Sequence, residues 1–329
     1  MTKTKLTALL ATTAVLALAA CGSSTNSAVE TTRLLAKDVG TASAAFADGK
    51  TLVSQDGNIV AVVSTLGTDE SKISEDTSLS IRSDGAGGII LEINGNDYQL
   101  SADDRAINDD GRSFGFFVDD TDNNIFVNIF SQNGEILPFI EGTDNWFVRL
   151  FQYQLIQEVD SENDIWTAER GFTVVGTETS SSAMGRFRSQ TRYDGWSAGD
   201  VVLVDQDRVW ANRTEIRSNV AIEVDFSKNT LEGELFNIEL RQRVDNEFGD
   251  RFSVDGKILL QDGVISGSGF SGTTQTDATF EDATEINTAS GTFQGNFFGS
   301  DAQQLGATYN LSNEEFNAVG GFIGRARTD

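Results

Sequence analysis

Histidine is absent from this chain of 329 residues, and cysteine occurs only once. Without histidine the chain has no imidazole general base, no Ser-His or Cys-His nucleophile pair and no histidine ligand for zinc or haem. A single cysteine can form neither an internal disulfide nor a Cys-x-x-Cys site. These absences exclude many enzyme classes, and we expect a protein that is not an enzyme and that holds no cofactor or metal.

Positively charged residues are also few. The chain has 24 lysines and arginines against 50 aspartates and glutamates, a formal net charge of −26. Nucleic-acid binding needs a basic face that neutralises phosphates, so this excess of acid argues against it. It also argues against adsorption to anionic lipid through protein charge alone. The apolar fraction of 39% and the 22 dispersed phenylalanines are sufficient for a packed core and argue against whole-chain disorder.

The first 20 residues have the pattern of a secretory signal peptide. Lys3 and Lys5 precede an uncharged run rich in leucine and alanine, residues 6–20. At about 15 residues this run is too short for a stable transmembrane anchor. It ends in the letters LAAC at Cys21, which resemble the bacterial lipoprotein signal, in which the cysteine becomes the first mature residue and is acylated. The alternative is a plain signal peptide with an incidental cysteine. We favour lipidation because the only cysteine occupies the one position that requires it.

The predicted acylation of Cys21 gives a membrane affinity that an acidic protein cannot obtain from its charge, about 0.8 kcal/mol for each buried CH₂. Removal of residues 1–20 takes away two basic residues and no acidic ones, which leaves a net charge of −28. An Asp after the cysteine resembles an inner-membrane retention signal of Gram-negative lipoproteins, so Gly22 at that position implies the outer membrane. Residues 21–48 are predicted to be a lipidated tether with one short helix.

From about residue 50 the chain has the pattern of an all-β protein. Short apolar runs are separated by glycines that follow Asp or Asn, the pairing that favours tight hairpin turns, and Asn94-Gly95 is the clearest of these. We predict a β-rich domain over residues 49–170. After it we predict eight strands, at residues 184–193, 218–227, 230–241, 250–260, 263–273, 289–299, 304–311 and 317–326. Eight antiparallel strands can close into a barrel with a side-chain-filled interior and no exposed edge.

Two further predictions concern irregularities in this part of the chain. The apolar alternation changes face within residues 231–240, which indicates a β-bulge near Leu235. Residues 197–213 fit none of the eight strands and are predicted to be an excursion from the barrel.

The residues of the last three predicted strands resemble the closing motif of the transferrin-binding protein B-like barrel, a family that includes factor H-binding and related surface lipoproteins. The motif positions are Gly291, Phe293, Gly295, Phe297, Gly299, Ala302, Gly306, Gly321 and Phe322. Upstream, Asp225, Phe226 and Gly233 resemble a hairpin of the same family. The resemblance covers about half of the chain and assigns residues 171–329 to the barrel domain. Gln304, Ala307 and Ser300 depart from the common Glu, Gly and Pro.

The resemblance implies an outer-membrane lipoprotein of a Gram-negative bacterium, exposed at the cell surface. Its function would be non-catalytic binding of a macromolecule or nutrient carrier. The resemblance further implies export by a surface lipoprotein assembly modulator and a TonB-dependent transporter as partner, with residues 49–170 as a handle-like sheet. Two alternatives stay open: a periplasm-facing, lipocalin-like carrier of a small apolar ligand, and, less favoured, a hydrolase that uses paired carboxylates.

Several clusters of acidic residues are candidate metal or catalytic sites. Asp120, Asp122 and Asn124 have the spacing of a calcium loop, but Ile125 stands where the loop needs Gly and Gln132 where it needs Glu, so a solvated turn is favoured. The pairs Asp103-Asp104 and Asp109-Asp110 are interpreted as charged loops.

One basic cluster is also present. Arg186, Arg188 and Arg192 alternate opposite Phe187 and Tyr193, and we favour their pairing with acidic residues of a neighbouring strand such as Glu223 and Asp225 over a binding role. The remaining candidates are aromatic, with core or barrel-rim positions favoured over a recognition surface: Trp146, Trp166, Trp196, Trp210, Tyr98, Tyr153, Tyr193 and Tyr309.

Overall fold

The computed structural model describes residues 33–66, 71–74, 78–107, 113–119, 123–130, 146–160, 165–203, 213–244 and 247–327. These residues belong to one compact unit, Thr32–Asp329. The predicted signal peptide and Cys21 lie outside the described residues. Among the helices that are described, none has the length and apolar character needed to cross a membrane.

The amino-terminal part begins with two short helices and continues as a ten-stranded antiparallel sheet. The helices are α1 (Ala36–Val39) and α2 (Ala42–Ala47). The strands are β1 (Leu52–Leu66), β2 (Ser71–Ser74), β3 (Leu79–Ser83), β4 (Ile89–Ile93), β5 (Asn96–Leu100), β6 (Arg105–Ile107), β7 (Ser113–Asp119), β8 (Asn123–Phe130), β9 (Val148–Asp160) and β10 (Ile165–Gly176). The strand order is β5-β4-β3-β1-β10-β9-β8-β7-β6, with β2 on β1. No pairing between β5 and β6 is found among the described residues, so this sheet is nearly closed rather than closed.

Local sequence explains the start of this part. The predicted tether helix is divided in two because Gly40, at φ 77°, ends α1, and the Thr41 side chain then accepts a hydrogen bond from the Ala44 backbone N–H to begin α2. The hairpin between β4 and β5 turns at Asn94 and Gly95, both with positive φ (52° and 79°), as the sequence predicted.

The carboxyl-terminal part is a closed barrel. Its strands are β11 (Gln190–Leu203), β12 (Arg213–Asp225), β13 (Thr230–Val244), β14 (Glu247–Val254), β15 (Ile258–Ser266), β16 (Gly269–Thr276), β17 (Ser290–Phe298), β18 (Gln304–Ser312) and β19 (Phe316–Ala326). Eight of them close the ring, because β12 pairs with both β11 and β13 and β11 pairs with β19. The first part of β13, up to Leu235, pairs with β15. Only the second part, from Ile238 onward, pairs with β14. The predicted eight-stranded antiparallel barrel is confirmed.

Four predicted segments were wrong. Two of them, residues 250–260 and 263–273, each span the end of one strand and the start of the next, β14 with β15 and β15 with β16. The other two lie at and after the first barrel strand. The first barrel strand begins at Gln190, not at residue 184, because residues 181–184 form a helical turn, α3 (Ser181–Met184), which the Ser180 side chain caps by accepting from the Ala183 N–H. Residues 197–213 are not an excursion throughout: residues 197–203 continue β11, and β12 begins at Arg213. Residues 204–212 lie outside the described part of the chain.

The predicted bulge exists two residues beyond Leu235. Ser218 of β12 stands opposite two residues of β13, Asn237 and Ile238, and Asn237 adopts a positive φ of 52°. The extra residue returns Ile238 to the barrel core, where Leu235 is also buried.

The two sheets pack against each other through an apolar layer. Buried side chains of β1, β9 and β10 meet the outer face of β11 and β19, with Leu150, Val174, Trp196 and Ile323 at the contact. Inside this layer the Arg170 guanidinium lies 2.6 Å from the Asp200 carboxylate, and both side chains are almost fully buried.

A short segment of extended chain, Thr177–Thr179, connects three parts of the molecule. Leu34 and Ala36 exchange backbone hydrogen bonds with Glu178 at 2.9 Å. On the other side the Gly299 N–H donates to Thr177, and the Thr179 N–H donates to Phe297. We call Thr177–Thr179 the junction segment.

Candidate binding site at the open end of the barrel

One end of the barrel lumen is filled by aromatic side chains. The Phe297 ring lies 5.9 Å from Tyr193, 5.4 Å from Phe226 and 5.1 Å from Phe270, measured between centroids, and Phe226 also meets Phe187. The Tyr193 hydroxyl donates to the carbonyl oxygen of Ala302 at 2.7 Å. Burial in this environment raises the pKa of Tyr193. We call this region the packed end.

The family-motif residues explain how the packed end is built. Phe293 and Phe297 point into the lumen, and a Cβ on Gly295 between them would lie 2.2 Å from the Gly306 carbonyl oxygen. Gly299 has a positive φ of 88°, which β17 needs to turn toward β18. The other motif positions are of two kinds. The side chains of Phe226, Ala302 and Phe322 are buried, and Gly233 and Gly291 lie so close to neighbouring atoms that a Cβ would not fit without movement.

Two motif glycines have a different location. Gly306 and Gly321 lie on the outside of the barrel, where a Cβ would meet Val148 at 3.0 Å and Leu150 at 2.4 Å respectively. Both neighbours belong to β9 of the amino-terminal sheet. These glycines therefore allow the two sheets to approach closely.

The opposite end of the lumen contains a cavity of about 470 Å³. Its floor is formed by the buried residues Ile216, Ile258, Leu311 and Phe316. Phe252 of β14 also lines it, although 48% of this residue remains exposed. We call this region the open end.

One wall of the cavity is a helix that the sequence did not predict, α4 (Ala278–Thr284). The Asp277 side chain caps it by accepting hydrogen bonds from the Phe280 N–H at 2.8 Å and the Lys257 N–H at 3.0 Å. A Cβ on Gly256 would lie only 2.2 Å from the Phe280 nitrogen, so the corner between β14 and β15 packs tightly on this helix. The wall is therefore fixed to the strand that faces it.

The rim of the cavity is polar. Gln242, Arg243 and Thr214 lie there, and Arg243 is the one charged side chain among the described residues that line the cavity. No carboxylate is found among these lining residues, so the cavity offers no pair for a two-carboxylate hydrolase.

Outside the cavity, the β13–β14 hairpin carries an aromatic side chain between two arginines. Phe248 is 41% exposed, and the guanidinium groups of Arg241 and Arg243 lie 4.3 Å and 5.0 Å from its ring centroid. Such contacts hold a planar cation on an aromatic face. We call Phe248, Arg241 and Arg243 the hairpin cluster.

Further arginines adjoin the hairpin cluster on the same strands. Arg251 pairs with Glu215 at 3.1 Å. Burial lowers the pKa of Arg217, and the neighbouring guanidinium groups of Arg251 and Arg241 lower it further. Glu215 and Glu239 oppose this lowering, so carboxylates are interleaved with the arginines of these strands.

The basic cluster expected on the first strand is not assembled. Arg186 and Arg188 precede β11 as exposed residues, and only Arg192 lies in the strand. Arg192 pairs with Asp194 at 2.8 Å and with Glu223 at 3.3 Å, which is the charge pairing that we favoured. The motif residue Asp225 caps the β12–β13 turn by accepting hydrogen bonds from Ser227 and Lys228.

The other predicted positions are structural where they are described. Asp104 accepts hydrogen bonds from the backbone and side chain of Ser101 at 2.6 Å. Trp146 and Trp196 are buried, as are Tyr153, Tyr193 and Tyr309, while Tyr98 is partly buried and accepts from Gln157. Asp109-Asp110, Trp210 and the centre of the calcium-like loop, Asp120 and Asp122, lie outside the described residues, as does the side chain of Trp166. Among the described residues, no group of three or more metal-ligand side chains is found.

The sequence did not reveal the cavity or the hairpin cluster. It read residues 250–260 as one strand. The signal that was missed is Asp255-Gly256, which separates β14 from β15 and lets α4 reach the barrel wall.

Comparison with known proteins identifies the barrel. Residues 182–326 match the family model of the C-lobe and N-lobe beta barrels of Tf-binding protein B. No curated protein matches the sequence.

Solved structures give more distant likenesses. Isotype 1 transferrin binding protein B from serogroup B Neisseria meningitidis is 13% identical over 78% of this chain and 52% of that one, with a TM-score of 0.36. Intact Ap-TbpB, with N and C lobes, is 17% identical over 82% and 46%, with a TM-score of 0.42. The N-lobe domain of lactoferrin binding protein B of Moraxella bovis is 14% identical over 56% and 78%, with a TM-score of 0.31.

This chain spans about half the length of the first two of these proteins. TM-scores below 0.5 do not by themselves establish a common fold, so the assignment depends on the family model and on the motif residues. Together these place the barrel, residues 182–326, among the transferrin-binding protein B-like beta barrels.

Proposed function

We propose that this protein is a lipid-anchored outer-membrane lipoprotein, exposed at the cell surface, that binds a protein partner without catalysis. The observation that carries the proposal is the hairpin cluster, an exposed phenylalanine between two partly buried arginines, on a barrel of the transferrin-binding protein B type. In this proposal Cys21 carries the lipid, a surface lipoprotein assembly modulator exports the chain, and a TonB-dependent transporter receives what it binds.

The hairpin cluster has the composition of a protein-binding hot spot. Aromatic residues and arginine are enriched where interfaces are buried, because both provide a large contact area and arginine adds directional hydrogen bonds. Phe248 is held in place by its two guanidinium neighbours, so its ordering costs little on binding.

The identity of the partner is left to experiment. The names of the similar structures specify transferrin and lactoferrin as ligands of those proteins. At 13% and 14% identity we propose neither of them for this chain.

Surface exposure can be tested by protease treatment of intact cells. We expect the protein to be degraded while a periplasmic marker survives. If the protein survives until the outer membrane is permeabilised, surface exposure is wrong, and the periplasm-facing alternative takes its place.

Partner binding can be tested by affinity capture with a soluble form that begins after residue 28, which keeps the whole compact unit Thr32–Asp329. We expect Phe248→Ala to reduce the captured partner about tenfold, the loss typical of a hot-spot residue. Val264→Ala is the matched control, because Val264 is an exposed apolar residue near the packed end, at 58%. Equal capture by the two variants would show that the hairpin cluster is not the binding surface.

A further inference from the structure

We propose that the cavity at the open end binds a small amphipathic molecule with an apolar body and one anionic group. The cavity and the hairpin cluster share Arg243, which lines the cavity and also lies over the Phe248 ring, but the two proposals are tested by separate measurements.

The cavity is a formed space rather than a gap that packing would close. Asp277 fixes the start of α4 to Lys257, and Gly256 contacts Phe280 so closely that the two walls cannot approach further. Its volume of about 470 Å³ lies within the range of about 300–1,000 Å³ found for small-molecule sites.

The lining of the cavity requires an apolar occupant. Floor residues such as Ile216 and Leu311 are apolar, and Phe252 leaves 48% of its surface exposed although it belongs to the lumen face of its strand. Apolar surface in contact with water is unfavourable, and an apolar ligand would remove it. A well-packed barrel has no structural need for a half-exposed Phe252, but a ligand site does.

The charge of the ligand follows from the rim. Arg243 is the one charged side chain among the described lining residues, and Gln242 and Thr214 lie beside it as further hydrogen-bonding groups. Hydrogen bonds between a guanidinium and a carboxylate or sulfonate are stronger than those between neutral groups. No carboxylate is found among the described lining residues to receive a cation. A ligand with an anionic group at the rim would pair with Arg243, and its apolar body would cover the apolar residues of the floor.

The test uses the soluble form that begins after residue 28 and the probe 8-anilinonaphthalene-1-sulfonate, which has an apolar aromatic body and one anionic group. We expect saturable fluorescence at one site. Dodecanoate should displace the probe at lower concentration than dodecanol, which has the same chain length and no charge.

Three variants locate the site and its charge. Ala283→Trp fills the cavity from an exposed position of α4, and we expect it to weaken both competitors about tenfold. Arg243→Gln should weaken dodecanoate about tenfold and leave dodecanol unchanged. Arg192→Gln is the matched control, because Arg192 lies on the barrel exterior near the packed end and should change neither. If Ala283→Trp fails to fold by circular dichroism, Phe252→Ala replaces it, with weaker binding of both competitors expected.

Each contrary result overturns a defined part of the proposal. Binding that is unchanged in Ala283→Trp and Phe252→Ala places the probe elsewhere. Equal displacement by dodecanoate and dodecanol removes the anionic requirement. No saturable binding in the wild type overturns the whole proposal and leaves the cavity for a side chain of a protein partner. Protein capture does not enter these measurements, so either proposal can fail while the other stands.

Discussion

The two ends of the barrel are built from the same strands, but one end of the lumen is filled by side chains and the other contains a cavity. At the packed end, Phe297 is surrounded by aromatic rings, and the motif glycines admit these rings to the lumen. At the open end β14 pairs with β13 outside the closed ring, α4 lines a cavity, and Phe252 remains half exposed beside that cavity. The difference teaches that closure of a barrel and filling of its lumen are separate properties, and that a site can form where only the first holds.

The largest difference in stability between the two ends is expected when one phenylalanine is replaced at each end. We expect Phe297→Ala to lower the free energy of unfolding by about 3–5 kcal/mol, because it creates a cavity in a fully packed region. Phe252→Ala should cost about 1 kcal/mol or less, since much of this side chain is already in water. Urea unfolding followed by tryptophan fluorescence measures both. Similar losses for the two variants would mean that the ends are packed alike.

A smaller effect is expected when a methyl group is added at each end. Gly295→Ala places a Cβ 2.2 Å from a backbone oxygen of the adjacent strand and should cost about 1–3 kcal/mol. Gly249→Ala on β14, where the nearest atom is 3.6 Å away, should stay within about 0.5 kcal/mol of the wild type. Thermal unfolding gives the comparison, and an unchanged midpoint for Gly295→Ala would contradict the close packing described for the packed end.

The packed end should also respond to pH through Glu178. Burial raises the pKa of this carboxyl above its usual value of 4.5. Its contribution to stability is therefore complete below pH 4.5 and is lost as the pH rises through the higher folded value. We expect Glu178→Gln to remove this loss and to increase stability at pH 7, as measured by urea unfolding across the pH range. Glu232→Gln, an exposed residue of β13, is the control and should leave the profile unchanged.

The smallest effect is expected at the β12–β13 turn, which also lies at the packed end. Hydrogen bonds from Ser227, and after it Lys228 and Gln190, lower the pKa of Asp225. Stability from this carboxylate is present above the usual value of 3.8 and is lost as the pH falls toward the lowered one. Asp225→Asn should make the acid limb of the unfolding profile shallower. A limb of unchanged slope would show that the turn contributes nothing measurable.

The sequence predicted those parts of the fold that local patterns determine. The hairpin at Asn94-Gly95 and the number of barrel strands follow from turn residues and alternation, and the change of face between Leu235 and Ile238 correctly indicated a bulge. The predicted strands 250–260 and 263–273 were wrong, because each runs across a turn. The start of β11 was misplaced because Phe187 and Arg188 alternate like a strand, although Ser180 caps a helical turn just before them. The division of the chain at residue 170 stays a prediction; β10 of the amino-terminal sheet runs to Gly176.

The candidate site was less accessible from sequence because it depends on contacts between distant segments. Thr214, Arg243 and Thr284 meet at one cavity from three separate elements, and no local pattern connects them. The motif resemblance identified the barrel through glycines and phenylalanines of the packed end, whereas the cavity lies at the other end. The lumen residues of the family motif and the residues of the candidate binding site therefore lie in different halves of the lumen.

The junction segment has a mechanical consequence. Leu34 and Ala36 are hydrogen-bonded to Glu178, and the flanking Thr177 and Thr179 are hydrogen-bonded to Gly299 and Phe297 of the barrel. A force applied to the chain before residue 33, as a membrane tether would apply it, is borne first by these short antiparallel and parallel bridges. The load then reaches the barrel wall through Thr177 and Thr179, and it reaches the amino-terminal sheet through the hydrogen bond from the Thr177 N–H to Phe147. A pull at this point is therefore shared between the barrel and the amino-terminal sheet through one short extended segment.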